Sequence, residues 1–359
     1  MPPICCRDVK AVVLAGGKGS RLRPFTYSGA KQLLPVANTP VLFFALRQLV
    51  EAGIHELAVV VGETEEQVRA AVGDGSRFGA RITYLRQPAP LGIAHALWLA
   101  REFVGNDPVV LYLGDNWLRG GIVRFVERFR ASDAAASLLL RRVPNPTAFG
   151  VAVLEGERLV RVVEKPAEPP SDLAVVGIYA FRPLVFDVIA SQEPSARGEL
   201  EIADTINGLL DRGARVEFEV TEADWVDTGK MEDTLLANRI ALEDLSPRID
   251  PAASVRDSSL EGIVCIEPEA VVERSRIVGP VIVGRGAVVQ GCEIGPYVSI
   301  GDGAAVVSSR VVNAILMERA RVERCALLRD SMLGRDARAE GLPANASVTL
   351  GDHSAVSLP

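Results

Sequence analysis

Short apolar runs alternate with amphipathic stretches through the first two thirds of the chain. Residues 9–14 form an apolar run that ends in Ala15-Gly16-Gly17, and 56–61 and 109–113 are runs of the same kind. Between them, apolar positions recur at helical spacing over 40–52, 65–72 and 93–103, with a further strand at 81–85. Strands that are apolar throughout, separated by helices, predict a mostly parallel sheet covered on both faces. From 137 onward the runs shorten. Residues 137–142, 150–154, 159–164 and 175–181 read as strands, and a helix returns at 201–210. This region is expected to be one α/β domain over 9–245 with an inserted β-rich half.

The last hundred residues follow a different period. Aliphatic residues stand at Ile249, Val255, Leu260, Ile266, Val272, Ile277, Val283, Val289, Ile294, Ile300, Val306 and Val311, in steps of 6, 5 or 6 that sum to 17 per three. The series continues through Leu316, Val322, Leu327 and Leu333. A three-sided coil with one shortened side has this period, and a parallel β-helix over 246–352 is the expectation. Gly284, Gly295 and Gly301 directly follow aliphatic positions, and Pro247, Pro280 and Pro296 suit corners. A β-sandwich, the alternative, would alternate apolar and polar residues with irregularly spaced turns.

Composition agrees with aliphatic cores and many turns. Of the 359 residues 48% are hydrophobic but only 5% aromatic, with 32 Gly and 22 Pro. The net charge of -7 argues against a nucleic-acid binder or an anionic-membrane partner. No apolar run is long enough for a transmembrane helix, and the first residues lack the pattern of a signal peptide, so a cytoplasmic protein is expected. The cysteines agree: Cys5, Cys6, Cys265, Cys292 and Cys325 show no CxxC spacing and suit reduced thiols. His55, His95 and His353 are too scattered to suggest a zinc site. Only five of the 39 basic residues are lysines (Lys10, Lys18, Lys31, Lys165 and Lys230), which draws attention to each.

Three features carry candidate chemistry. Ala15-Gly16-Gly17-Lys18-Gly19-Ser20-Arg21-Leu22-Arg23 follows a strand, and its glycines would let backbone N–H groups face an anion, with Arg21 and Arg23 as further donors. It is neither a dinucleotide fingerprint nor a P-loop, and a purely structural turn is the other reading. Lys31, just beyond, is either a surface charge or a phosphate ligand. Asp115 and Asp227 each end a short apolar strand beside a glycine. Both could cap turns, or together hold Mg²⁺ against a polyphosphate.

Taken in order, Leu14 to Pro24, Lys31 to Pro35, Leu113 to Asn116, Glu164-Lys165-Pro166, Gly198 to Ile202 and Trp225 to Gly229 resemble the sugar-1-phosphate nucleotidylyltransferases. The likeness covers 9 to 350 and is strongest to the long-form thymidylyltransferases, which carry a carboxy-terminal left-handed β-helix. The resemblance implies a nucleotide-diphospho-sugar transferase fold with a Rossmann-like mixed sheet. It implies that Ala15, Gly16, Gly17, Gly19 and Ser20 wrap a nucleotide, with Arg21 on its phosphates. Gln32, Gln87 and Gly92 would lie around the base and deoxyribose. Lys31 and Lys165 would contact phosphates, and Gly150, Glu164 and Glu199 sugar hydroxyls. Asp115 and Asp227 would hold Mg²⁺. Ala30, Leu91 and His95 depart from the common pattern and read as subfamily traits, with His95 in local structure or packed on the base side.

The reaction so implied joins dTTP and glucose 1-phosphate into dTDP-glucose. A sugar-phosphate oxygen attacks the α-phosphorus in line and pyrophosphate leaves. Arg21, Lys31, Lys165 and Mg²⁺ offset the repulsion between two anions. The same chemistry with UTP or another sugar 1-phosphate is the alternative. Acyl transfer by the β-helix is disfavoured because 246–352 contains no histidine, and a non-catalytic subunit because Lys31, Asp115 and Asp227 are all present. The coils are expected to pack subunits of a homo-oligomer or to extend the sugar-binding domain. A soluble, equally assembled protein cut after residue 245 would defeat that role.

Overall fold

The computed structural model describes residues 8–358, so Cys5 and Cys6 lie outside the described residues. The chain divides into two compact units. One contains the described residues up to Lys18 together with Leu42–Trp225. The other contains Gly19–Val41 and the described residues from Val226 onward.

The first unit is built on a mixed nine-stranded sheet. Its strands are β1 (Lys10–Ala15), β2 (Glu56–Val61), β3 (Arg81–Arg86), β4 (Val109–Leu113), β5 (Ala136–Arg142), β6 (Gly150–Glu155), β7 (Arg158–Glu164), β8 (Leu173–Phe181) and β9 (Val216–Val220). They run in the order β7-β6-β8-β4-β1-β2-β3, with β5 pairing β8 and β9. The strands β4, β1, β2 and β3 are parallel; β1, β2 and β4 are the apolar, buried runs of the interior, and β3, Arg81–Arg86, is the half-exposed edge. The direction reverses at β8, which is antiparallel to β4, β5 and β6. All nine residues of β8 are buried, so this strand is the spine of the unit.

Helices α1 (Val41–Glu51), α2 (Glu65–Val72), α3 (Ile93–Leu99), α4 (Arg101–Val104), α5 (Val123–Ala131), α6 (Leu184–Ala190) and α7 (Ile202–Asp211) complete it. The helix expected over 93–103 is broken at Ala100 into α3 and α4. The core joins sheet and helix residues: Val12, Leu97, Leu111, Leu138, Phe181, Ile206 and Leu209 belong to one buried cluster.

The second unit is a three-sided parallel β-solenoid that matches a left-handed β-helix, preceded by α8 (Met231–Glu243). The expected period is its hydrogen-bond register. Val255 pairs with Val272, Val272 with Val289, and Val289 with Val306. Leu260, Ile277, Ile294 and Val311 form a second column, and Ile249, Ile266, Val283, Ile300, Leu316 and Leu333 a third. One position shifts from expectation: Leu328, not Leu327, stacks under Val311 and is fully buried. A coil one residue shorter, from Ile300 to Leu316, precedes it.

Coil stacking explains the corner glycines. A Cβ on Gly284 would lie 2.6 Å from Asp302 Oδ1 and 2.7 Å from the Gly301 carbonyl carbon. Asp302 cannot yield freely, because the same Oδ1 accepts the Arg285 N–H at 2.9 Å. The described cysteines are free, and two of them serve a corner ladder. Cys292 N–H donates to Ser275 Oγ at 3.1 Å and Cys325 N–H to Ser309 Oγ at 3.0 Å.

One solenoid face differs from the others. Its outward positions include Ile282, Ser299, Ile315 and Met332, stacked in register and all buried. The side chains of Leu22, Phe25 and Leu34 from the segment after Gly19, with Leu235 of α8, cluster on Ile315, Met317 and Met332.

Candidate active site

In the first unit Ala15, Gly16, Gly17 and Asp115 stand at the carboxyl ends of β1 and β4, and Gln87 just beyond β3, where open α/β sheets present ligands. Ala15 ends β1 and is buried, Gly16 is half-buried, and Gly17 is exposed. Gly16 and Gly62 touch backbone to backbone: a Cβ on Gly62 would lie 2.7 Å from the Gly16 carbonyl oxygen. Gly114 N–H donates to the Leu14 carbonyl at 2.9 Å, which seats the end of β4 against that of β1.

Asp115 follows, 9% exposed, with Asn116 Nδ2 donating to its Oδ1 at 3.3 Å. Asn116 is held in turn, since its Oδ1 accepts Trp225 Nε1–H at 2.6 Å. Across the sheet Gly177 has φ +79°, at a break in the β8–β5 register, and a Cβ there would lie 3.2 Å from Asn116 Nδ2. The spacing of the motifs gave no sign of Asn116, Trp225 and Gly177 as supports of Asp115.

The Gln87 to Gly92 segment is fixed at both ends. Gln87 N–H donates to the Val61 carbonyl at 2.8 Å, and its Nε2 donates to the Gly92 carbonyl and to His95 Nδ1, both at 3.1 Å. Burial holds the His95 imidazole below its ordinary pKa, which favours the neutral ring that can accept this bond. At Gly92, φ is +100° and a Cβ would fall 2.3 Å from the Leu200 carbonyl oxygen. Leu200 N–H donates to the Leu91 carbonyl at 2.8 Å, so the segment lies against the neighbour of Glu199.

Gly150 and Glu164 are paired across β6 and β7. A Cβ on Gly150 would stand 3.4 Å from Glu164 Oε2. Glu164 Oε1 lies 3.3 Å from Lys165 Nζ and 3.4 Å from Arg197 Nη2. Lys165 sits at φ +43°, its N–H bonded to the Phe149 carbonyl and its side chain 49% exposed. Arg197 also donates to the buried Glu201 carboxylate at 2.7 Å. This arginine, absent from the expected set, bridges the two carboxylates.

The remaining candidates belong to the second unit. Gly19 has φ +61°, and a Cβ on it would lie 2.9 Å from both Lys31 Cβ and Thr26 Cγ2. Thr26 Oγ1 donates to the Gly19 carbonyl at 2.7 Å, closing the loop. Ser20 and Arg21 are exposed on a short 3-10 turn, Ser20–Leu22, whose Leu22 is the buried anchor. Lys31 and Gln32 occupy another, Lys31–Leu33; Gln32 is 1% exposed and its Oε1 has no hydrogen-bond partner.

Asp227 is half-buried beside Gly229. A Cβ on Gly229 would meet Arg21 Nη2 at 2.7 Å and Asp227 Oδ1 at 3.1 Å, so the guanidinium and the carboxylate crowd one point. Burial pushes the nearby Asp233 carboxyl above its ordinary pKa, against the opposing pull of Lys230 and Arg21. Among the described residues no three or more His, Cys, Asp or Glu side chains are gathered to hold a metal.

Comparison with known proteins gives this geometry a context. The family model for nucleotidyl transferases matches residues 10–244. The glucose-1-phosphate thymidylyltransferase of Streptomyces griseus is 43% identical over 351 residues, 96% of this chain and 98% of that protein. The low-salt glycan biosynthesis nucleotidyltransferase Agl11 of Haloferax volcanii is 50% identical over 240 residues, 66% of this chain and 67% of that one. A solved structure from Bacillus anthracis, in complex with sucrose, superposes with a TM-score of 0.63 at 38% identity, over 67% of this chain and 98% of the other.

Proposed function

The chain belongs to the nucleotidyl transferase family and is a nucleotidylyltransferase that forms a nucleoside-diphosphate sugar; we propose that its substrates are dTTP and glucose 1-phosphate. The observation that carries this reading is the crowding of Arg21, Asp227 and Gly229 beside the Gly19–Lys31 loop. A guanidinium and a carboxylate meet there, Arg21 exposed and Asp227 half-buried over the buried Gly229, an arrangement suited to polyphosphate and unsuited to a neutral ligand. The likeness to the Streptomyces griseus enzyme over nearly the whole of both chains supports the substrate pair. We assign the catalytic domain to 9–245, in keeping with the family match over 10–244, and the β-helix to 246–352.

The sugar phosphate brings its own nucleophile, so no side chain need be activated. What the chain must supply is charge compensation and alignment. Arg21 and Lys31 would bind the nucleotide phosphates and Lys165 the sugar phosphate. Glu164 would accept from sugar hydroxyls, with Arg197 fixing its carboxylate. Gly150, with no side chain to intrude on Glu164, would leave room for the sugar ring. Gln87, oriented by His95 and Gly92, would read the base edge.

Asp115 and Asp227 suit Mg²⁺, which takes one or two carboxylates and completes its shell with phosphate and water oxygens. Held by them, the ion would supply Lewis-acid compensation of phosphate charge. The free, buried thiols fit a reducing, cytoplasmic setting.

A pyrophosphate-release assay across dTTP, UTP, CTP, GTP and ATP, with and without glucose 1-phosphate, tests the reading. The expected result is release that depends on the sugar phosphate and is fastest with dTTP. Preference for UTP would keep the chemistry and move the base assignment. Silence with every nucleotide would refute the function.

A further inference from the structure

On the reading above that Lys31 binds nucleotide phosphate, we propose that the solenoid face bearing Ser299, Ile315 and Met332 positions the Lys31 segment for the reaction, with Asn238 as the positioning residue. Four observations, all within the second unit, carry it.

Outward positions of a solenoid in water are ordinarily polar or exposed, and on this chain's other faces they are: Arg256, Glu273, Arg276 and Glu293 occupy such sites, and an apolar one, Val288, is left exposed. The face with Ile282, Ile315 and Met332 departs from that rule because it is covered. Its cover is α8 and the Gly19–Val41 segment, through Leu235 and through Leu22, Phe25 and Leu34. Leu22 and Leu34 are the sequence neighbours that flank Arg21 and follow Lys31-Gln32.

The segment then turns in a hairpin, Pro35–Val36 against Thr39–Pro40. Its two central residues, Ala37 at φ +46° and Asn38 at φ +58°, are both left-handed. This is the backbone of a type I′ turn, a conformation that alanine disfavours. It is held from outside. Asn238 Oδ1, on α8, accepts the Ala37 N–H at 2.8 Å and Ser299 Oγ–H at 2.7 Å. Asn38 Nδ2 donates to the Ile300 carbonyl of the same solenoid strand at 2.7 Å.

Asn238 is fully buried, and its Nδ2 has no hydrogen-bond partner. The residue is therefore used as an acceptor only. One carbonyl oxygen ties the hairpin after Lys31, the helix after Asp227, and the solenoid wall. A helix residue serving packing alone would be apolar here. The acceptor instead fixes the register of one particular turn at Ala37, five residues beyond Gln32.

The test uses the full-length protein and three variants. Asn238→Leu removes the acceptor at similar volume, Asn238→Asp retains it, and Ser299→Ala deletes one donor. For each, kcat and KM for dTTP are measured by pyrophosphate release, with thermal melting and amide exchange of peptides spanning Ala37. We expect Asn238→Leu to lose about tenfold or more in kcat/KM, with faster exchange at Ala37 and a melt still above the assay temperature. Asn238→Asp should recover to within about threefold of wild type, which a packing role alone would not produce.

A folded Asn238→Leu protein with wild-type kcat/KM overturns the proposal, as does an aspartate variant no better than leucine. Should Asn238→Leu not fold, Ser299→Ala decides: unchanged rate and unchanged Ala37 exchange overturn it. An inactive wild type would refute the assigned reaction instead, while Ala37 exchange would still report the tie.

Discussion

Replacing Gly229 by alanine displaces Arg21 most, and Asp227 to a lesser degree, without altering either side chain. Gly229 does not use a left-handed backbone, so alanine meets no conformational penalty there. The new Cβ would stand 2.7 Å from Arg21 Nη2, and ordinary contact begins near 3.4 Å, so the guanidinium must withdraw by about 0.7 Å. Asp227 Oδ1, at 3.1 Å, must give by a few tenths. The arginine tip is exposed and can move, so the fold should be nearly unaffected. Its hydrogen bonds to phosphate cannot survive such a shift unchanged. A charge-assisted bond is worth about 1.5–3 kcal/mol, or roughly 10- to 150-fold in kcat/KM. The assay is pyrophosphate release at saturating and limiting dTTP, beside a thermal melt. Wild-type kcat/KM in a folded Gly229→Ala protein would show that Arg21 does not bind the reacting phosphates. A large fall in melting temperature would show that the guanidinium could not move.

Other expectations follow from the same geometry. Asp115→Ala should keep the fold and lose about 100-fold or more in kcat, and normal turnover at ordinary Mg²⁺ would sink the metal assignment. In the solenoid, Gly284→Ala drives a Cβ into Asp302 and the next coil's backbone, which cannot retreat. It should cost about 3 kcal/mol, read as a melting temperature several degrees lower, and an unchanged melt would contradict the stacking. His95 supplies a pH dependence. Its folded pKa is depressed by burial, so its share of stability is whole above the ordinary 6.5 and is lost as pH falls through the folded value. Melts of wild type and His95→Asn between about pH 7.5 and about pH 5 should diverge in this sense, and parallel curves would remove the histidine from the argument.

The solenoid was the most legible part of the sequence because each of its inward positions repeats a local rule. Val255, Val272, Val289 and Val306 announce the column that their hydrogen bonds form. The error of one residue at Leu327 arose where a shortened coil reset the register, which no aliphatic spacing reveals by itself. The strands of the first unit were legible for a related reason: runs apolar throughout mark strands buried on both faces. Asp115 stood out because it ends such a strand, whereas Glu164 and Gly150 entered only through the family resemblance. What stayed hidden depends on pairs far apart in the chain. Trp225 reaches Asn116 across 109 residues and Asn238 reaches Ala37 across 201. Arg197 looked like one arginine among many until its two carboxylates, Glu164 and Glu201, were placed beside it. One available signal went unread: strands such as Val281–Val283 and Val298–Ile300 have small or apolar residues at the outward position as well.

That outward column bears on why a nucleotidylyltransferase would keep a β-helix. Each solenoid coil has several outward positions, and each column of them can take its own chemistry while the inward columns stay aliphatic. Here Arg310 meets Glu293 at 2.8 Å and Arg276 meets Glu261 at 3.2 Å on a solvated face, pairs that add solubility and little stability. The column of Ile282, Ser299, Ile315 and Met332 is instead a rigid buried strip, apolar except for the Ser299 hydroxyl. Its stiffness comes from coil-to-coil hydrogen bonding on both neighbouring rungs, so a segment seated on it inherits a fixed height and register. Loops that bind phosphate need backbone conformations, such as those at Gly19 and Ala37, that short chains do not hold alone. A wall that cannot flex is a direct physical means of holding them. On this view the solenoid contributes to the reaction through the geometry it imposes on Arg21 and Lys31, with no catalytic group of its own.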